Sequence, residues 1–162
     1  MKYLKITSPD INNGLGCRVT MWLPGCTHNC LNCHNKWTHN YNQGIEFDSS
    51  EESKIYELVD KPYIKGLTIS GGDPLDQSES ILNDLLDFIK RFREKYGNKK
   101  DIWVYTGFKI EELNQSQLNI LENCDILVDG RYEENLRDIT LPFRGSSNQR
   151  IIDLKKYFAK KY

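Results

Sequence analysis

The sequence predicts an α/β fold built on a mostly parallel sheet. Short apolar segments alternate with amphipathic helical segments, and this order requires crossover connections between parallel strands. The predicted strands at 67–69, 102–105 and 126–128 are almost continuously apolar, as expected for strands that are covered on both faces. With 162 residues, of which 38% are hydrophobic, the chain has enough material for one core, so residues 1–162 are predicted to form a single domain.

The first sixty residues contain two predicted strands and one predicted helix. Residues 3–7 have the composition of a short strand, and residues 17–23 are β-rich and end at Pro24-Gly25. Residues 49–59 are predicted to be helical, with Ser49 and Glu52 at the spacing of a capping box.

A strand, a long helix and a further strand are predicted in the middle of the chain. The strand at 66–70 precedes a helix over 77–96, which Asp76 is expected to cap with Glu79 three residues later. Apolar residues recur at intervals of three and four along one stripe of this helix: Ile81, Leu82, Leu85, Leu86, Ile89, Phe92 and Tyr96. Gly97-Asn98 ends the helix, and the next strand covers 102–106.

The last third is predicted to contain a weaker helical segment over 110–121, strands over 125–129 and 151–152, and a short basic tail over 155–161. Glycines follow three of the predicted strands, namely Gly71-Gly72, Gly107 and Gly130. Because the carboxyl ends of parallel strands lie at one edge of a sheet, these turns and the loop after residue 23 are predicted to face one pocket.

Three cysteines lie in that loop, in the spacing Cys26-x3-Cys30-x2-Cys33, with no fourth cysteine nearby. Three thiolates on one short loop can bind three irons of a cubane [4Fe–4S] cluster. The fourth iron then has no protein ligand and is free to bind a small molecule.

A zinc site is the alternative for the same cysteines, with one imidazole completing a tetrahedral set from His28, His34 or His39. The spacing argues against it, because zinc ligands usually come in two separated pairs. A disulfide is weaker still, because the five cysteines are an odd number and no secretion signal opens the chain. Cys17 and Cys124 are predicted to be reduced, small apolar residues.

The charge balance excludes some classes of partner. There are 22 basic and 23 acidic residues, which provides no general attraction to nucleic acid or to a membrane. No apolar run approaches the roughly 20 residues that span a bilayer. A cytoplasmic, reducing location is expected, as an iron–sulfur cluster requires.

The segment Gly71-Gly72-Asp73-Pro74 is a second candidate for ligand binding. The two glycines expose backbone amides and carbonyls, Pro74 fixes the turn, and carbonyl oxygens in such a rim can bind a ligand's ammonium group. The alternative is a tight turn that binds nothing.

Taken together, the cysteine motif and Gly71-Gly72-Asp73-Pro74 resemble the radical S-adenosylmethionine family. Further segments resemble the branch of this family that activates anaerobic ribonucleoside-triphosphate reductases, and the resemblance covers nearly the whole chain. These segments are residues 13–18, 104–108, 129–132 and 144–150, the last being Arg-Gly-Ser-Ser-Asn-Gln-Arg.

The resemblance implies a fold, a mechanism and partners. The fold would be a truncated, open (β/α) partial barrel. Cys26, Cys30 and Cys33 would bind a [4Fe–4S] cluster whose free iron chelates S-adenosylmethionine, and residues 71–74 would help to bind its ammonium group. Reductive cleavage would give a 5′-deoxyadenosyl radical that removes hydrogen from a glycine Cα in the large subunit of the reductase. A reduced electron donor such as a flavodoxin would supply the electron, and no side chain beyond the cluster ligands would be catalytic.

One position departs from the wider family, in which an aromatic residue commonly precedes the third cysteine. This chain has Asn32 there and His34 after it, and the resemblance implies that Asn32, Cys33 and His34 lie beside the adenine. Arg18, Arg144 and Arg150 are candidates for lining the pocket, and the loop over 132–147 is a candidate for contacting the partner.

Two other functions stay open from the sequence. One is another small radical S-adenosylmethionine enzyme, similar to the activase of pyruvate formate-lyase or to a deazaguanine-forming enzyme. This chain has little length for the added helices that a metabolite pocket needs. The other is a zinc-stabilised interaction domain without catalysis.

Overall fold

A computed structural model describes residues 1–160 of the chain. The strands are β1 (Lys2–Tyr3), β2 (Lys5–Asp10), β3 (Cys17–Leu23), β4 (Ile45–Glu46), β5 (Ile64–Gly71), β6 (Asp101–Tyr105), β7 (Ile126–Asp129) and β8 (Arg150–Asp153). The α-helices are α1 (Ser49–Val59), α2 (Glu79–Tyr96), α3 (Gln115–Leu121) and α4 (Leu154–Ala159). Single turns of 3₁₀ helix cover Lys36–Thr38, Ile110–Glu112 and Glu134–Leu136.

Six of the strands form one open sheet in the order β2-β3-β5-β6-β7-β8. The four central strands, β3, β5, β6 and β7, are parallel, and the edge strands β2 and β8 run antiparallel to their neighbours. The α/β class and the mostly parallel sheet are therefore confirmed. Among residues 1–160 the two edge strands do not pair with each other, so the sheet does not close into a barrel, and β1 and β4 form a separate antiparallel pair.

The two faces of this sheet differ in chemistry, because successive strand residues point to opposite sides. One face is apolar and packs in a single core with α1 and α2; it carries Val19, Met21, Leu67, Ile69, Ile102 and Val104. The other face carries polar and aromatic side chains instead, namely the buried Arg18, Thr20, Trp22, Thr68, Ser70 and Trp103 and the half-buried Tyr105. The polar face is available to line a site, while the apolar face supports the fold.

Residues 130–149, here called the return loop, connect β7 to β8 and pass back over the polar face. The Tyr105 hydroxyl donates to the carbonyl of Phe143 at 2.9 Å. The Phe143 ring meets Trp103 edge-on, with 5.3 Å between ring centroids. These two contacts hold the return loop above the sheet, and a cavity lies between the loop and the sheet.

The bounds of β3 and α1 agree with the sequence prediction, but the predicted helix caps are wrong. The cap of α1 is Asp48, whose carboxylate accepts from the Glu51 amide at 3.1 Å, rather than Ser49. The cap of α2 is Ser78 rather than Asp76, which instead accepts from the amide and hydroxyl of Thr27. Asp76 does not cap α2, because its carboxylate bonds to the loop that follows β3.

The predicted helix over 110–121 is divided into a 3₁₀ turn and α3. Asn114 interrupts it, since its side chain accepts from the amide of Gln117 and begins a new helix, while Leu113 is extended.

The predicted basic tail over 155–161 is mostly the helix α4, which buries Leu154; Lys161 lies outside the described residues. Within residues 1–160, no helix combines the length and the apolar character needed to cross a bilayer.

Replacing Asp48 with Ala is expected to lower the free energy of unfolding by about 1 kcal/mol, because the first turn of α1 loses its side-chain acceptor. Ser49→Ala, one residue inside the helix, is expected to change it much less. Urea denaturation followed by circular dichroism measures both. A larger loss for Ser49→Ala than for Asp48→Ala would contradict the assignment of the cap.

Candidate metal centre

The loop of residues 24–39, here called the cysteine loop, follows β3 and is closed by backbone hydrogen bonds. The amide of Gly25 donates to the carbonyl of Thr38 at 2.7 Å, and the amide of Cys26 donates to the carbonyl of His39 at 3.3 Å. The loop therefore leaves the sheet and returns to its starting point, with all three cysteines between its ends.

Two asparagines give the cysteine loop its turns. Asn29 and Asn32 adopt φ values of +51° and +56°, a left-handed conformation that asparagine tolerates better than most residues. Each directly precedes a cysteine, and the amide of Cys33 donates to the carbonyl of Cys30 at 3.2 Å. The turns place all three cysteines along the wall of one cavity of about 670 Å³.

The carboxyl ends of the parallel strands meet at this cavity, as the sequence predicts. Its wall includes the three cysteines and residues from the end of each of three strands: Ser70, Gly71 and Gly72 at the end of β5, Thr106 and Gly107 after β6, and Gly130 and Tyr132 after β7. The return loop closes the opposite side with Leu141, Pro142, Phe143 and Arg144.

The turn of residues 71–74, here called the glycine turn, packs directly on the backbone of the cysteine loop. The amide of Gly72 donates to the carbonyl of Leu23 at 2.9 Å, and that of Asp73 donates to the carbonyl of Gly25 at 2.7 Å. A Cβ at Gly71 would lie 2.2 Å from the Leu23 oxygen, and one at Gly72 would lie 2.3 Å from the Gly25 oxygen. The protein's own backbone therefore requires glycine at both positions, independently of any ligand.

The predicted cofactor-binding residues divide into two groups. Cys33, His34, Gly71 and Gly72 line the cavity, whereas Asn32, Asp73 and Pro74 are not part of its wall. The Asp73 carboxylate accepts from the Thr106 hydroxyl at 2.9 Å from both oxygens, from the Gly107 amide at 2.8 Å and from the Leu75 amide at 2.9 Å. His28 Nε2 lies 2.6 Å from the same carboxylate.

Burial controls the protonation of two of the cysteines. It raises the pKa of Cys26 to about 12 and also raises the pKa of Cys30, because the charged thiolate loses solvation. Both thiols therefore retain their protons at neutral pH in this arrangement, and binding of a metal would release them.

The spacing of the ligand atoms argues against a single zinc ion. Within residues 1–160, only Cys26, His28 and Asp76 offer three potential ligand atoms within 4.8 Å of one another, so the three sulfurs as a set are spread more widely. Sulfurs that share one zinc at about 2.3 Å each would lie roughly 4 Å apart. A wider set is expected when each sulfur binds a different iron, so this donor set fits a cluster.

The group of Cys26, His28 and Asp76 is itself already engaged. His28 Nε2 lies 2.6 Å from Asp73, and Asp76 Oδ2 accepts from the Thr27 amide at 2.7 Å. These contacts occupy one ring nitrogen of His28 and one carboxylate oxygen of Asp76, and they orient both side chains.

The three candidate arginines have different surroundings. Arg18 is fully buried below the cavity, where it bonds to Thr68 and, at 2.6 Å, to Asp101. Arg150 pairs with Asp129 and Glu111 outside the cavity wall. Of these three, Arg144 alone lines the cavity, and its buried Nε has no hydrogen-bond partner in the described part of the chain.

Comparison with known proteins agrees with this donor set. Residues 12–152 match the family model described as a 4Fe-4S single cluster domain. Similar proteins include the anaerobic ribonucleoside-triphosphate reductase-activating proteins of Escherichia coli K12, 39% identical over 96% of this chain and 100% of the relative, and of Enterobacteria phage T4, 40% identical over 93% of each. The protein of that name from Haemophilus influenzae is 39% identical over 93% of this chain and 97% of the relative.

Gly72→Ala is expected to lower the free energy of unfolding by about 1–3 kcal/mol, because the added methyl group separates the glycine turn from Gly25. The bound iron is expected to fall as well, since the same displacement moves the cysteine loop. Urea denaturation and an iron assay after anaerobic reconstitution measure the two effects. A variant with the parent's stability and iron content would show that the close contact is unimportant.

Proposed function

This chain belongs to the family of anaerobic ribonucleoside-triphosphate reductase-activating proteins, and we propose that it generates a glycyl radical on such a reductase by radical S-adenosylmethionine chemistry. The observation that carries the proposal is the position of Cys26, Cys30 and Cys33, which line one cavity at the carboxyl edge of the sheet beside Gly71 and Gly72.

Cys26, Cys30 and Cys33 would hold a [4Fe–4S] cluster, since the chain supplies three thiolates in reach of one cavity. The motif contains no fourth cysteine, which supports a fourth iron without a protein ligand. Together with S-adenosylmethionine, such a cluster supplies one-electron cleavage of a sulfonium carbon–sulfur bond, which provides the radical for hydrogen abstraction. The chain's own part is to bind, to orient and to exclude water.

S-adenosylmethionine would lie between the glycine turn and the return loop. Gly71 and Gly72 would present backbone to its ammonium group, while Asp73 and Pro74 would shape that turn from behind. Asn32, Cys33 and His34 would lie on the adenine side. Arg144 offers an unpaired buried Nε–H in the same cavity, which suits the carboxylate of the methionine moiety.

The reductase large subunit would contact the return loop. Ile139 is 84% exposed and Leu136 is 38% exposed, and Ile139 borders the opening of the cavity. An exposed aliphatic side chain at the edge of a reactive site is typical of a surface that a partner covers.

A reduced electron donor, such as a flavodoxin, would approach the cysteine loop from outside. Leu31, between the second and third cysteines, is 69% exposed, so protein does not cover this side of the site. We further propose that the open sheet is the truncated (β/α) partial barrel of the radical S-adenosylmethionine family, that residues 1–162 form one domain, and that the protein works in the cytoplasm, where thiols stay reduced.

Cys26→Ala, Cys30→Ala and Cys33→Ala are each expected to lose the cluster, because a cubane loses one of its three protein bonds. Anaerobic reconstitution of the parent is expected to give about four iron atoms per chain. Cys17→Ala and Cys124→Ala are matched controls that should keep the iron, since neither cysteine lines the cavity. One firmly bound zinc in the parent in place of iron would reject the cluster.

The activity is tested by adding S-adenosylmethionine, a reductant and an anaerobic ribonucleoside-triphosphate reductase to the reconstituted protein. A glycyl radical seen by electron paramagnetic resonance on the reductase is expected with the parent and absent with the three cysteine variants. Normal cleavage of S-adenosylmethionine without any radical on the reductase would contradict the proposed substrate and favour a different radical enzyme.

Ile139→Asp is expected to reduce the yield of glycyl radical by about tenfold or more, because a charge replaces an aliphatic contact with the partner. The iron content and the cleavage of S-adenosylmethionine without the partner are expected to stay at the parent's values. Ile45→Asp is the matched control, since Ile45 is 57% exposed on the separate β1–β4 pair. Equal radical yields for both variants would place the partner elsewhere.

A further inference from the structure

We propose that His28 and Asp73 are positioning residues, which fix the cysteine loop against the glycine turn and so set where a cluster lies relative to the bound cofactor. The inference rests on the proposed function, because it assigns the pair a role in cofactor geometry. Neither side chain needs to touch the reacting atoms for this role.

The His28–Asp73 pair joins the cysteine loop to the glycine turn through two side chains that are almost entirely covered. Nε2 of His28 lies 2.6 Å from Oδ2 of Asp73, and the two side chains are only 5% and 1% exposed. The neighbouring contact between Thr27 and Asp76 is exposed to solvent. Because water competes less for a buried hydrogen bond, the His28 contact provides the stronger attachment.

One carboxylate connects three strand ends. Asp73 follows β5, its partners Thr106 and Gly107 follow β6, and its partner His28 belongs to the loop that follows β3. The other neighbours, Thr106, Gly107 and Leu75, are donors, so we assign the Nε2 proton to His28 and an acceptor role to both carboxylate oxygens. Loss of this carboxylate would remove a side-chain contact that all three segments share.

The His28 ring is also fixed by its other neighbours. It meets the Phe108 ring at 4.6 Å between centroids and at 78°. A Cβ at Gly107 would lie 2.6 Å from Cδ2 of His28, so the ring fills the space that glycine leaves. Packing and hydrogen bonding therefore define a single position for this side chain.

The His28–Asp73 contact can affect the positions of two cysteines because of where His28 lies in the sequence. His28 lies two residues after Cys26 and two residues before Cys30. A displacement of its backbone moves both sulfurs relative to Gly71 and Gly72, which precede Asp73 directly.

Hydrogen exchange of the cluster-free protein tests the attachment without any cofactor. In His28→Ala and Asp73→Asn, the backbone amide hydrogens of residues 26–30 are expected to exchange about tenfold faster or more. This is the loss of protection expected when a buried hydrogen bond to a charged group is removed. His28→Gln, which retains an N–H donor on a long side chain, is expected to keep most of the protection. Asp87→Asn, an exposed carboxylate on α2, is the control.

Electron paramagnetic resonance of the reconstituted, reduced variants tests the positioning. The concentration of S-adenosylmethionine that half-saturates the spectral change is expected to rise about tenfold in His28→Ala and Asp73→Asn, and less in His28→Gln. Parental exchange rates at residues 26–30 would overturn the proposal. So would a fall in iron content and thermal stability with an unchanged half-saturating concentration in the loaded fraction, which indicates support of the fold alone.

The two proposals fail in different ways. If the parent itself shows no spectral change with S-adenosylmethionine, the proposed function is wrong and the assigned role in cofactor geometry is lost with it. If the parent responds and the variants respond equally, the function stands and the positioning role of the pair is wrong.

Discussion

The backbone contact between the glycine turn and the cysteine loop determines the geometry of the whole site. Two amide–carbonyl hydrogen bonds join Gly72 to Leu23 and Asp73 to Gly25, at distances that exclude any side chain on Gly71 or Gly72. The cysteine loop has little regular structure of its own, so the ends of β3 and β5 fix its position. Glycine is needed at positions 71 and 72 because this packing leaves no room for a side chain.

The two faces of the sheet have different roles, and this allows a small chain to contain both a core and a polar site. The apolar face and the long helix α2 form the core, with Phe88 and Phe92 fully buried. The opposite face can then carry polar groups at little cost, because they bond to one another. Arg18 illustrates this, since its guanidinium is fully buried yet bonds to Thr68, Leu67 and Asp101.

Periodicity and spacing predicted the elements that depend on local sequence. The strand Cys17–Leu23 and the helix Ser49–Val59 were predictable from β-rich and amphipathic patterns, and the common edge of the strand ends follows from parallel topology. The helix caps were not predictable in this way, because Asp76 bonds to Thr27, a residue that is distant in the sequence. His28 was missed as an anchor for the same reason: nothing near it in the sequence indicates that Asp73 lies opposite. Its place midway between Cys26 and Cys30 is the one local signal in the sequence.

The exposed outer side of the cysteine loop has a chemical consequence. Leu31 stands 69% exposed and all three cysteines are only partly covered, so small solutes reach the sulfurs as readily as a redox protein does. Dioxygen is such a solute, and cysteine sulfur that solvent can reach is open to oxidation. The opening that would admit a redox protein therefore also admits an oxidant to the three cysteines.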